Sequence, residues 1–187
     1  HLGELAWWAT MNLVWYVVPA GLTIRWFFRR PFSEFGLTRF KVREHLWVYV
    51  AMAVAMVPLV VTVSFTPHFQ AVYPFYRTAL VAGIGWRLWV WWLSYFVQFL
   101  SLEFFFRGFM IHGIRPHLGF ASIAVMMVPY TMIHFSKPPL ETIGAMAAGL
   151  ALGALSLRTN SIWLGAAVHL SVAATMDIAS LFQAGVL

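Results

Sequence analysis

Long apolar runs alternate with short polar breaks along the chain, and run length is the first structural signal. A helix that crosses a bilayer needs about 20 apolar residues. Six stretches come near that length: 5–24, 45–65, 85–114, 120–135, 141–157 and 161–181. Pro19, Pro58 and Pro129 fall inside three of them and predict kinks. The third outruns one bilayer, since 30 residues of helix rise roughly 45 Å against a core of about 30 Å. A tilted or projecting helix is expected there, with Arg87 snorkelling to the interface. The fifth is rich in Gly and Ala, which let helices approach closely in lipid. Between the runs, 66–76 carries Pro67 and Pro74 and reads as a loop or short surface helix, and 32–37 reads as an interfacial segment. The expected fold is all-α: a polytopic membrane helix bundle of about six transmembrane helices, in a single integral membrane domain over 1–187.

Composition agrees with this. Of the 187 residues 61% are hydrophobic and 10% are charged, where soluble domains carry about 25% charged residues. There is no Cys, which excludes disulfides, a thiolate nucleophile and Cys-based zinc sites. The net charge of +6 is unevenly placed: six of the twelve Lys and Arg lie from Arg25 to Arg43. Such clustering beside an apolar run is a positive-inside signal rather than a nucleic-acid patch. It puts the loop bounded by Arg25 and Arg43 in the cytoplasm and the chain in an inner (plasma) membrane, and the absence of Cys and the short length fit a bacterial one. Arg115 and Arg158, at the ends of the third and fifth runs, fall on the same side. Ten Trp suit interfacial belts. The chain opens on His1 rather than Met, which reads as a fragment or a processed chain. Its first run is long enough to span, so no cleavable leader is expected.

Few ionisable side chains remain inside the runs: Glu103, Arg107, His134, His169 and Asp177, with His112 near an end. Glu103 and Arg107 share one helical face at i,i+4 within Gln98–Phe109, an otherwise mostly apolar stretch. Counted from the inner ends, Glu103 lies roughly 18 Å deep, His134 roughly 21 Å and His169 roughly 12 Å. Three helices thus bring a carboxylate and two imidazoles to comparable depth. Several chemistries suit the trio. The carboxylate can act as general base on water with a His sharing the proton, and the second His can hold an oxyanion. The same three side chains form a zinc ligand set with one open position. Ser101 and Ser171 lack a nucleophile turn, and Glu/His chains also serve as proton relays in transporters. An ion pair that merely pins two helices is the bland alternative.

The run Glu103-Phe104-Phe105-Phe106-Arg107-Gly108-Phe109 resembles the first motif of the CPBP family, the type II CAAX-prenyl-protease and bacteriocin-processing-like intramembrane endopeptidases. Tyr130-Thr131-Met132-Ile133-His134 is similar to its second motif, and Ser161-Ile162-Trp163 leading to His169 to its third. The resemblance implies a CPBP-like catalytic core over 84–181 and a glutamic-type protease, formerly called a metalloprotease. Glu103 would activate water, His134 would assist, His169 would help form an oxyanion hole and Arg107 would orient the acid. Tyr130 and Asp177 would support them. No cofactor is implied as required; zinc, if held, would sit on Glu103, His134 and His169. The implied partners are the bilayer and a membrane-associated peptide or protein substrate. Two positions depart from the pattern: Leu102 stands where the motif has its first acid, and Ala173 where an Asn or Asp follows the His. The resemblance therefore leaves a second expectation, a catalytically impaired member acting as a structural or assembly subunit of a larger membrane complex.

Overall fold

The computed structural model describes residues 2–38 and 42–187. The expectation that the loop from Arg25 to Arg43 is cytoplasmic falls partly on Arg39, Phe40 and Lys41, which lie outside the described residues. The described residues are helical, with one isolated antiparallel bridge between Leu37 and Ser161. In order the helices are α1 (Leu2–Leu22), α2 (Val42–Ser64), α3 (Pro67–Val72), α4 (Ala79–Ala82), α5 (Trp86–Glu103), α6 (Ile111–Leu118), α7 (Ser122–Met132), α8 (Pro139–Thr159) and α9 (Trp163–Gln183). Two π-helical turns interrupt the pattern, Thr23–Phe28 after α1 and Phe104–Met110 between α5 and α6.

Four helical segments are long and apolar enough to cross a membrane: 43–64, 86–132, 139–159 and 163–183. The expected third and fourth spans are here one 47-residue helical run. It turns back on itself at the 3₁₀ turn Gly119–Ala121, where Gly119 takes φ +54°, so that α7 packs against α6 and α8. With 11 residues, α7 rises only about 16 Å. The expected first span is α1, which carries Glu4, Asn12 and three Trp and is not among the four. α1 packs along α5, and α2 along α9.

Two glycines on α8 explain its seat against α7. A Cβ at Gly149 would lie 2.6 Å from Met127 Sδ, and one at Gly153 3.1 Å from Ile123 Cγ2. This is the close packing expected of a small-residue helix. The other face of α8 does something different: a Cβ at Gly144 would meet nothing within 4 Å, and Gly144, Ala147, Ala148 and Ala151 line a cavity.

Residues 32–37 do not lie on the surface as an interfacial segment throughout. Phe32–Phe35 forms a 3₁₀ turn whose Phe35 is fully buried and stacks on Phe28 at 5.8 Å. An aromatic ring gains more from an apolar pocket than from the interface when a pocket is within reach. The segment is then stitched to the α8–α9 turn: Ile162 N–H donates to Gly36 O (3.0 Å), Thr38 Oγ1 to Asn160 O (2.6 Å) and Ser161 Oγ to Thr38 O (3.0 Å). Gly108, in the second π turn, lets this platform approach. A Cβ there would lie 2.7 Å from Phe35 O. Gly108→Ala should therefore lower stability by about 1–3 kcal/mol, the usual cost of overpacking. Thermal unfolding in detergent reads this, and an unchanged midpoint contradicts the packing argument.

Candidate active site

The site is built where α5 gives way to the π turn. A π turn adds a residue to the helical count and re-aims the side chains around it, and such turns recur at functional sites. Here it begins directly after Glu103 and contains Arg107. Both side chains are buried, Glu103 at 0% and Arg107 at 1% exposure. Arg107 Nη1 lies 3.1 Å from Glu103 Oε1. That distance marks an ion pair, and none of the three guanidinium nitrogens has a hydrogen-bond partner among the described residues. The cation is balanced in two other ways: by the carboxylate's charge, and by the face of Tyr130, whose ring centroid lies 3.9 Å from Cζ.

The carboxylate's one hydrogen-bond partner among the described residues is His169 on α9. His169 Nδ1 lies 2.8 Å from Glu103 Oε1. Oε2 faces α9 at Gly165, where a Cβ would lie 3.4 Å away. A carboxylate accepts, so His169 Nδ1 donates, and in the neutral imidazole Nε2 keeps its lone pair. His134 is set in the same way. It lies in the turn just after α7, and its Nδ1 is 2.9 Å from the Tyr130 carbonyl. A carbonyl also only accepts, so His134 likewise presents Nε2 as an acceptor. The Tyr130 ring lies tilted against His134 with centroids 4.8 Å apart, and Phe99 lies tilted against His169 at 4.4 Å. Contacts thus run from His134 through Tyr130, Arg107 and Glu103 to His169.

Both histidines line one cavity of about 1300 Å³ bounded by α1, α2, α5, α8 and α9. Its wall is mostly apolar and includes Leu102 and Ala173. Glu103 is not part of that wall; it reaches the cavity through His169. Asp177 is apart from this group. Its Oδ2 accepts from Trp91 Nε1 (3.0 Å) and Trp92 Nε1 (3.1 Å), anchoring α9 to α5. His112 is a packing residue as well, 3.1 Å from Ser156 Oγ, which donates to the Arg107 carbonyl at 3.1 Å.

A cluster missed in the sequence forms part of the cavity wall. Tyr73 donates its hydroxyl to Glu141 at 2.9 Å, and Lys137 Nζ stands 3.3 Å from that hydroxyl and 3.9 Å from the Phe75 ring centroid. Burial lowers the Lys137 ammonium from its ordinary value, with Glu141 opposing the shift. Tyr73 and Glu141 are 68 residues apart, and no periodicity joins them.

Among the described residues no group of three His, Asp or Glu side chains is placed to hold a metal ion. Glu103 Oε1 is committed to His169, and the Arg107 guanidinium beside it repels a second cation.

Removing Arg107 should expose the cost of the buried carboxylate. Arg107→Met is expected to destabilise the fold by about 3–5 kcal/mol, because an unpaired buried charge remains. Combining it with Glu103→Leu should recover part of that loss. Chemical unfolding of the two single variants and the double variant gives the cycle, and additive losses would contradict a direct coupling.

Comparison with known proteins bears on the segment that holds this site. Residues 84–175 match the family model described as type II CAAX prenyl endopeptidase Rce1-like, and the matched range contains Glu103, Arg107, Tyr130, His134 and His169. No curated protein and no solved structure matches the chain. An all-helical chain with four membrane-length apolar helices and this segment is an integral membrane protein, and its residues 84–175 are similar to the type II CAAX prenyl endopeptidase Rce1-like family.

Proposed function

We propose that the chain is an intramembrane endopeptidase that cleaves membrane-associated peptides or proteins with an imidazole-activated water. The observation that carries this reading is the 2.8 Å contact between a fully buried carboxylate, Glu103, and the partly exposed His169 at the cavity wall. Glu103 holds the Nδ1 proton in place, so Nε2 of His169 is the base that meets the cavity. The role first expected for Glu103, direct activation of water, passes in this scheme to His169. Nε2 of His134 is a second acceptor on the same cavity. One water donating to both imidazoles would turn its remaining lone pair towards a substrate carbonyl. As the oxygen attacks the carbonyl carbon, His169 takes the proton, and the Glu103 charge stabilises the imidazolium. The proton then passes to the leaving amine as the C–N bond breaks, giving an acid and an amine. Arg107 pairs with Glu103 and orients it. No step requires a metal or cofactor.

A second reading is favoured by Leu102 and Ala173. Both face the cavity, at the two places where the resemblance leads one to expect an acid and an amide or acid. In that reading the chain is a non-catalytic subunit of a larger membrane complex.

Glu103→Gln and His169→Ala should each reduce cleavage of a co-expressed membrane substrate by about 10²–10⁴-fold, the range for losing a general base or its support. Unchanged processing rejects the enzyme reading. Stable co-purification with a larger membrane partner, without turnover of any peptide, supports the subunit.

We further propose that the loop containing Ser33 and the α8–α9 turn face the cytoplasm of a bacterial inner membrane. Asn160 Nδ2 lies 3.3 Å from Ser33 O, so the two share a side, and the basic cluster from Arg25 to Arg43 belongs to that side. A Cys placed at the exposed Arg158 should resist an impermeant thiol reagent added outside intact cells. Labelling from outside would reverse the topology.

A further inference from the structure

Gln98 lies one helical turn before Leu102 on α5, and both line the cavity. Its side chain is only 5% exposed. Its Oε1 is buried and accepts no hydrogen bond from any described residue. A buried carboxamide without a partner is unusual, because leaving a polar group unmade costs more than the bond returns. It persists when something outside the fold completes it.

The chemistry of that partner can be read from the group. Oε1 needs an N–H donor, and the Nε2 of the same amide offers donors to a carbonyl. A ligand presenting N–H and C=O side by side is a secondary amide, the repeating unit of an extended peptide main chain. A hydrocarbon or isoprenoid chain offers neither group. The opposite property is found on α8, where Gly144, Ala147, Ala148 and Ala151 line the same cavity with almost no side-chain bulk. The open space over Gly144 leaves room for a main chain to lie against that wall.

We infer that the Gln98 carboxamide is a substrate-positioning group that hydrogen-bonds the backbone of a peptide extended along this cavity. The inference rests on the hydrolase reading for its consequence, since a peptide so held is presented to His134 and His169, but its test is binding and not turnover. Gln98 takes the polar role on this face of α5, where Leu102 offers only hydrocarbon.

The experiment compares wild type and Gln98→Leu in lipid nanodiscs. The probes are acetyl-Ala-Leu-Ala-Leu-Ala-amide and a set of depsipeptides in which one N–H at a time is replaced by an ester oxygen. Thermophoresis gives affinities. Wild type should lose about tenfold at one ester position, the size of a single hydrogen bond. Gln98→Leu should bind the all-amide peptide about tenfold more weakly and ignore that ester. Its unfolding temperature without peptide should equal or exceed that of wild type, because no bond within the fold is lost. A Gln98→Leu protein that unfolds earlier and binds the peptide as before would assign Gln98 a structural role and overturn the inference. The same ester preference in both proteins, or no saturable binding of the peptide to wild type, overturns it too. Cleavage of the probe is scored separately. Binding with these preferences but no fragments keeps the inference and removes the hydrolase, and cleavage indifferent to Gln98→Leu does the reverse.

Discussion

One buried charge sets the terms for the rest of the structure. Glu103 has no exposure at all, and an isolated carboxylate in such surroundings would cost several kcal/mol. Three elements answer it. The π turn carries Arg107 to 3.1 Å, α9 carries His169 to 2.8 Å, and α7 presents the Tyr130 face to Arg107. None of these helices can shift far without leaving one of the two charges alone. The glycines follow from the same demand for closeness: Gly165 lets α9 come up to Oε2, and Gly108 lets the Phe35 platform come up to the π turn.

The arrangement separates charge from chemistry. The charges of Glu103 and Arg107 are hidden, and their neighbours that meet the cavity are two imidazoles, each with Nδ1 tied back to an acceptor. A neutral imidazole held this way offers a defined lone pair. A bare carboxylate on an apolar wall would need to carry its own desolvation. Delegating the exposed role to His169 lowers that cost while keeping the carboxylate's field within reach. Much of the remaining cavity wall, from Leu102 to the small residues of α8, is apolar, so its few polar groups stand out as the places that can orient an occupant.

Away from the site, polar groups act as fasteners. Asp177 joins two indoles of α5 to α9, and Ser156 and His112 join α8 and α6 to the π turn's carbonyl. Tyr73, Lys137 and Glu141 tie the segment after α3 to the α7–α8 turn. Each fastener links segments distant along the chain. In an apolar bundle such bonds specify which helix faces which, where lipid and side chains alone discriminate little.

Run length and composition determined that the chain is helical and membrane-embedded, because a bilayer demands apolar length and internally satisfied backbones whatever the packing. The i,i+4 spacing of Glu103 and Arg107, and the three motif stretches, were enough to name the residues that gather and the family they resemble. Depth counting from the loops brought His169 to Glu103, since axial position on a helix follows from residue number. What counting cannot supply is rotation about the axis. Only the packed structure showed Glu103 turned away from the cavity and Leu102 towards it, Asp177 turned to Trp91 and Trp92, and His134 past the end of α7. The π turn was equally invisible, because it shares the composition of an ordinary helix and exists only where neighbours reward the extra residue. The stretch around Glu103 named the participants; the tertiary fold decided which atom of which side chain faces the cavity.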